Sequence, residues 1–260
     1  MNELSLMQLT LVGLVFIWSG FVRSGLGFGG AVLALPFLLL IHDDPIVFLP
    51  LIAIHLLIFS SWMAYSNYRN VNRGVNKQHS VATIDWPYLK IALAIMIIPK
   101  IVGVFGLLTL PPKLMSSIIF VVVFIYAFGY VMNRPFQSNS KWLDATFLML
   151  GGYISGASLI GAPLIVAVFA SHVAKEKLRD TLFVLWFILV LIKVAAFALA
   201  GVDFLWIHHL WLLPLVTIGH VLGQLFHLKI VNASTPIFYR ILGTVLLLIS
   251  ILGLYKAWLL

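Results

Sequence analysis

The chain has 260 residues, 62% of them hydrophobic and 9% charged, with no cysteine and a net charge of +8. So few polar side chains cannot coat a water-soluble domain, and apolar runs of membrane-spanning length follow one another from end to end, which excludes a soluble fold. The missing thiols exclude disulfides and thiolate metal sites, and the basic residues fall mostly in short loops without an aromatic stacking platform, which fits a membrane protein rather than a nucleic-acid binder.

In chain order the apolar segments of the first half are Leu6–Val22, Ala31–Ile41, Val47–Tyr68, Trp86–Leu108 and Leu114–Met132. Those of the second half are Trp142–Ile154, Ala162–Ser171, Thr181–Ala200, His208–Phe226 and Ile237–Trp258. The first is expected to be retained as a helix, because Met1 to Leu6 lack the basic stretch of a cleaved signal and Arg23 stands where small residues would be needed. A full crossing takes about 20 residues at 1.5 Å each. The second segment of each half has only about ten, so it is expected to fold back on the first as a helix–loop–helix hairpin within the membrane. Eight spans plus two re-entrant hairpins, or ten shortened spans, both fit this pattern.

The two hairpins are copies. Gly20-Phe-Val-Arg-Ser24-Gly25-Leu-Gly27-Phe-Gly29-Gly30-Ala31 recurs 131 residues later as Gly151-Gly-Tyr-Ile-Ser155-Gly156-Ala-Ser158-Leu-Ile-Gly161-Ala162, with five ungapped matches. A duplicated glycine-rich break is a pointer to a transporter site near the membrane midplane. The expected fold is therefore an all-α polytopic membrane protein in one transmembrane domain, 1–260, with repeats of about 4–133 and 141–259.

Charge sets the orientation. Arg69, Arg73, Lys77, Arg134, Lys141, Lys175, Lys177, Arg179 and Lys229 fall in four loops that can share one face, while the other face has Lys113 and Lys256 with Asp43, Asp44 and Asp203. The positive-inside rule makes the first face cytoplasmic and the N-terminus external. Five segments per repeat, an odd number, places the halves in opposite orientations, an inverted-topology repeat.

A break in a membrane helix frees backbone groups that lipid cannot satisfy. The half-helices starting near Gly30 and Gly161 would point N-terminal N–H groups inward, which suits an anion. Glycine permits close backbone approach, and Ser24, Ser155 and Ser158 add hydroxyl donors. Pro163 suits the first turn of its half-helix. The alternative is that these small residues serve tight helix packing.

The acids Glu3, Asp43, Asp44, Asp85, Asp144, Glu176, Asp180 and Asp203 all lie in loops or at segment ends. Lys100 and Lys193 lie about 21 and 18 Å along their segments at 1.5 Å per residue. Interior cations without carboxylates describe an anion pathway. Lys193 is assigned to the site. Lys100 either belongs there or snorkels, as Lys90 and Arg240 are expected to do. Arg23 either meets the substrate or anchors to headgroups. His55 and His220 stand near mid-span, where they can carry a proton or serve structure; His55 joins the candidate site, and Gln224 is a candidate partner of His220.

These hairpins resemble the duplicated signature of the sulfite exporter family TauE/SafE, in which Gly-x-x-Ser-Gly-x-x-Gly-x-Gly-Gly with a downstream proline opens each half. Ser24, Gly25, Gly27, Gly29, Gly30 and Pro36 match in the first copy, and Ser155, Gly156, Gly161 and Pro163 in the second. The second copy has Leu159-Ile160 where more glycines are usual, and Arg23, Lys100 and Lys193 lie outside the signature. The resemblance spans nearly the whole chain. It implies a bacterial inner-membrane transporter of sulfite, sulfoacetate or related organosulfur anions.

The expected function is thus a non-enzymatic transporter or facilitator of a small anion. Ser24, Gly25, Gly27, Gly29, Gly30, Ser155, Gly156, Ser158 and Gly161 hold its oxygens, and Lys193, Arg23 and His55 are the polar side chains of the site. Partners are the anion, the bilayer and a coupling H⁺ or Na⁺; no metal or other cofactor is expected. The competing readings are an anion channel and an intramembrane hydrolase using Ser155 with His220 as base.

Overall fold

The computed structural model describes residues 1, 4–26, 30–72, 84–134, 136–230 and 235–259. Among them the chain is helical throughout, without a strand. The helices are α1 (Leu6–Leu26), α2 (Gly30–Ile41), α3 (Pro45–Asn72), α4 (Trp86–Thr109), α5 (Pro112–Val131), α6 (Lys141–Ser158), α7 (Ala162–His172), α8 (Lys175–Leu199), α9 (Trp206–Ile230) and α10 (Thr235–Leu259). Each expected segment is met by one helix. Seven are long and apolar enough to cross a membrane, whereas α2 and α7 have 12 and 11 residues. Starts are marked where the sequence offers caps: the Asp85 side chain accepts from Tyr88 N, and Ser140 from Leu143 N.

The breaks come later than expected. The sequence reading ended the first helix of each hairpin at Val22 and Ile154, but α1 runs on to Leu26 and α6 to Ser158. Arg23, Ser24, Gly25, Ser155, Gly156 and Ser158 are therefore helical. The hydroxyls of Ser24 and Ser158 are satisfied within the helix, donating to the carbonyls of Gly20 (3.0 Å) and Ile154 (2.9 Å) one turn back. Glycine costs only about 1 kcal/mol in a helix, and here it lets neighbouring helices approach closely. A Cβ at Gly156 would collide with the Lys100 carbonyl of α4, and one at Gly20 with the Val216 carbonyl of α9. The second hairpin turns at Leu159, which adopts a left-handed φ of 62°. Gly27 and Gly29 of the first lie outside the described residues.

Both second helices return along the first. Ser19 Oγ donates to the Gly30 carbonyl (3.2 Å) and Gln8 Nε2 to that of Ile41 (3.3 Å), so α2 begins level with the middle of α1 and ends beside its start. Gly161 likewise packs on Gly151, and His172 meets Asp144 at 2.8 Å. Each return helix thus places its N-terminus deep inside the protein.

The starts of α1 and α5 and the ends of α2 and α10 gather at one end of the molecule, where Lys256 Nζ donates to Leu40 O (2.9 Å) and Trp258 Nε1 to Ser117 Oγ (2.9 Å). The starts of α4, α6 and α8 and the end of α7 gather at the other: Asp85 N donates to Thr181 Oγ1 (2.9 Å), and the Tyr88 ring stacks on His172 at 5.1 Å. Within the bundle α1 packs on α9, α6 on α4, α5 on α10 and α3 on α8. Exchanging the halves leaves this pairing unchanged. The outer helices α4, α9 and α10 expose Ile98, Phe105, Leu210, Leu225, Leu248 and Leu252. Such apolar flanks on helices of spanning length belong in lipid, so this is a multi-pass membrane protein.

Candidate functional site

A central cleft lies where both hairpins meet α3 and α8. Gly30, Ala31 and Val32 contribute the first turn of α2, and Leu159 and Ala162 the turn into α7. Both return helices therefore direct their N-terminal ends to the same space. Gly161 precedes α7 without any side-chain cap, and Pro163 follows in the first turn, where no N–H is required. Leu56 and Ser60 of α3 and Phe183, Trp186, Leu189 and Val190 of α8 supply the walls.

The charge in the cleft is Arg23, only 5% exposed. Its Nη1 donates weakly to the His55 carbonyl at 3.4 Å, and its Cζ lies 4.4 Å from the centre of the Phe59 ring. Its Nε and Nη2 have no hydrogen-bond partner, nor does Trp186 Nε1. A desolvated cation–π contact supplies about 2 kcal/mol or somewhat more, whereas an unpaired buried ion costs several kcal/mol. The guanidinium is under-compensated. Among the described residues no carboxylate lines the cleft, so what the site lacks is an acceptor with negative charge.

Ser155 is a further polar group there. Lys100 Nζ lies 3.0 Å from both its hydroxyl and its carbonyl oxygen. An ammonium only donates, so the Ser155 hydroxyl accepts and keeps its own hydrogen for another acceptor. Ser24 differs. Its hydrogen goes to Gly20 O, so it accepts from His220 Nδ1, while Gln224 Nε2 meets His220 Nε2 at 3.1 Å.

Of the sequence-predicted residues the structure brings Arg23, Gly30 and Ser155 to the cleft wall. Ser24 and Ser158 are spent within the protein, and Gly156 packs against α4. Gly25 faces Gly223 of α9, and Gly161 faces Gly151. His55 stands behind Arg23, with its ring against His209. Lys193, fully buried, donates to the Gly156 carbonyl at 2.6 Å and is not among the cleft residues. Together with Lys100 it caps the last turn of α6, where helix carbonyls lack intrahelical partners and the dipole is negative. The hydrolase reading is corrected: His220 pairs with Ser24 rather than Ser155, and its Nδ1 carries a hydrogen and cannot serve as base. Among the described residues no group of His, Asp and Glu could hold a metal.

Trp186, Ser60, Phe59 and His209 were missed from sequence. For the pairing of serines with bases a signal exists. Trp86 and Trp206, Lys100 and His220, and Gly103 and Gly223 are each 120 residues apart, and Lys100 and His220 each meet a hairpin serine.

No curated protein and no solved structure gives a significant match. The family model for the sulfite exporter TauE/SafE matches residues 12–253, nearly the whole of a multi-pass chain whose return helices and buried cation converge on one cleft, and the chain belongs to this family of membrane transporters.

Proposed function

We propose that the protein is a secondary transporter or facilitator of a small anion, sulfite or an organosulfonate such as sulfoacetate, in the bacterial inner membrane. The observation that carries this is Arg23, buried in the cleft with Nε and Nη2 unpartnered, in a wall that also holds Trp186 with Nε1 unpartnered. A sulfur oxyanion would accept from these groups, from the Ser155 hydroxyl and from the free N–H groups at the starts of α2 and α7.

In this reading the halves are inverted repeats, about 4–133 and 141–259, rocking about the cleft in alternating access. The exchange-invariant pairing of α1–α9 with α6–α4 supports the duplication. Arg134, Lys141, Lys175, Lys177 and Arg179, which lie at the end holding the starts of α4, α6 and α8, support a cytoplasmic position for that end and an external N-terminus. Coupling to H⁺ or Na⁺ would supply the driving force.

The test is a flux and thermal-shift screen of the purified protein against sulfite, sulfate, thiosulfate, sulfoacetate, taurine and a plain carboxylate. Saturable flux with stabilisation by a sulfur anion is expected. Stabilisation by none of them, with no flux in proteoliposomes, rejects the reading.

A further inference from the structure

We propose that His55 and His209 form a proton relay from the cleft to the end of the molecule where α9 starts, and that it couples anion passage to a proton. This rests on the anion-transport reading above and names its coupling ion.

The hydrogen bonds fix the direction of the relay. His209 Nε2 lies 3.1 Å from the Phe204 carbonyl oxygen, which can only accept, so this nitrogen carries a hydrogen. In a neutral ring His209 Nδ1 is then bare. It lies 3.3 Å from His55 Nε2, which must donate. His55 Nδ1 is left as a bare acceptor, and it is buried without a partner. The guanidinium that donates to the His55 carbonyl has two unused N–H groups. An unused acceptor on His55 and unused donors on Arg23, both buried, are a costly arrangement unless mobile species fill them. An anion satisfies Arg23, and a proton satisfies His55 Nδ1.

The surroundings leave these two occupancies to govern each other. Arg23 of α1 faces His55; His208 neighbours His209 on α9, and Asp203 of the preceding loop lies near His208. Phe16 of α1 and Trp206 of α9 supply ring contacts at 5.3 and 5.6 Å. Among the described residues no carboxylate hydrogen-bonds to either ring of the pair. An anion held by Arg23 and a proton held by His55 carry opposite charges in one buried region, so each favours the arrival of the other.

The transfer balances. A proton from the cleft binds His55 Nδ1, the Nε2 hydrogen of His55 passes to His209 Nδ1, and the Nε2 hydrogen of His209 leaves to water beyond Phe204. One proton enters and one leaves, and both rings end as the opposite tautomer. The reverse sequence carries a proton inward to the cleft. Phe204 belongs to a loop whose Gly201 and Asp203 are exposed, which gives the relay its outlet.

The experiment uses the full chain in proteoliposomes with the membrane potential clamped, labelled sulfite as probe and protein-free vesicles subtracted. Sulfite changes its own charge with pH, but equally for every variant, so the comparison among variants isolates the relay. Self-exchange at equal pH comes first. If the wild type shows none, the anion-transport reading itself fails and the coupling falls with it. Given exchange, a one-unit pH gradient is expected to drive accumulation approaching about ten-fold in the wild type. His209→Gln should keep exchange and lose gradient-driven accumulation, and His55→Gln should lose that accumulation too. Wild-type flux indifferent to the gradient, or accumulation retained in both variants, overturns the relay while leaving the anion reading intact. Should the variants fail to fold, ¹⁵N NMR of histidine-labelled wild type decides: the two rings are expected to share one tautomer, Nε2–H in the unliganded protein, and an Nδ1–H form at one ring with Nε2–H at the other overturns the proposal.

Discussion

Lys100 Nζ stands 3.0 Å from both the hydroxyl and the carbonyl oxygen of Ser155, while His220 holds the serine of the other hairpin, Ser24. Each hairpin is thus latched to the helix packed along it, α6 to α4 and α1 to α9. The latches predict a pattern of energetic coupling. In double-mutant cycles of thermal unfolding, Lys100→Met with Ser155→Ala should depart from additivity by about 0.5–3 kcal/mol, and so should His220→Phe with Ser24→Ala. The crossed pair, His220→Phe with Ser155→Ala, should add to within about 0.5 kcal/mol. Strong coupling in the crossed pair would restore the His220–Ser155 arrangement that the structure replaces.

Arg23 and Lys193 are both buried cations, yet only Arg23 lines the cleft with unpaired donors. Losing a hydrogen bond to a charged group costs about 1.5–3 kcal/mol. Arg23→Gln should therefore weaken sulfite binding by about ten-fold or more, read from ligand-dependent thermal shifts. The unliganded protein should melt no lower, because an under-compensated charge has been removed. Lys193→Gln should leave the affinity within about two-fold, since its ammonium addresses α6 rather than the ligand. The opposite ranking would put Lys193 at the site.

Glycines of the same motif should differ in tolerance. A Cβ at Gly20 runs into the Val216 carbonyl and the backbone of His220, whereas one at Gly25 meets Gly223 O at an ordinary 3.6 Å. Gly20→Ala must push α1 and α9 apart and should cost about 1–3 kcal/mol or more, the range of overpacking. Gly25→Ala should fold as stably as the wild type. Equal loss of folded yield for the two, measured by fluorescence-detected size exclusion and melting, would deny that close helix approach explains Gly20.

Sidedness can be read by labelling, because the chain has no cysteine to remove. Ser140 and Lys175 are exposed at the end where α6 and α8 start, and Ser5 and Gly201 at the opposite end. With the basic end inside, Ser140→Cys and Lys175→Cys should react with a membrane-impermeant maleimide only after permeabilisation. Ser5→Cys and Gly201→Cys should react in intact cells. Labelling of Ser140→Cys in intact cells would reverse the assigned orientation.

The sequence by itself determined the membrane setting, the ten helical segments and the return of α2 and α7 as short arms. Apolar run length and the repeated glycine–serine stretch are local properties, and local properties are what a chain read in order displays. Family membership followed from the same stretch. An interior holding cations without carboxylates was equally legible, because an ionisable residue inside an apolar run announces itself.

What the tertiary structure decided was direction. Position along a segment gives the depth of a side chain but not the side of the helix it leaves or what it meets across the bundle. Lys193 and Arg23 were both expected among the polar side chains of the site, and packing turned one to cap α6 and the other into the cleft. Gly156 and Ser155 looked like a loop, and α4 packed so closely on them that they stayed helical to Ser158. Trp186 stood in an unbroken apolar run and showed no polar signal until its Nε1 was found without a partner in the wall it shares with Arg23. The hydrophobic pattern fixes which residues avoid water, whereas the pairing of buried polar groups depends on which helices touch, and only the folded chain settles that.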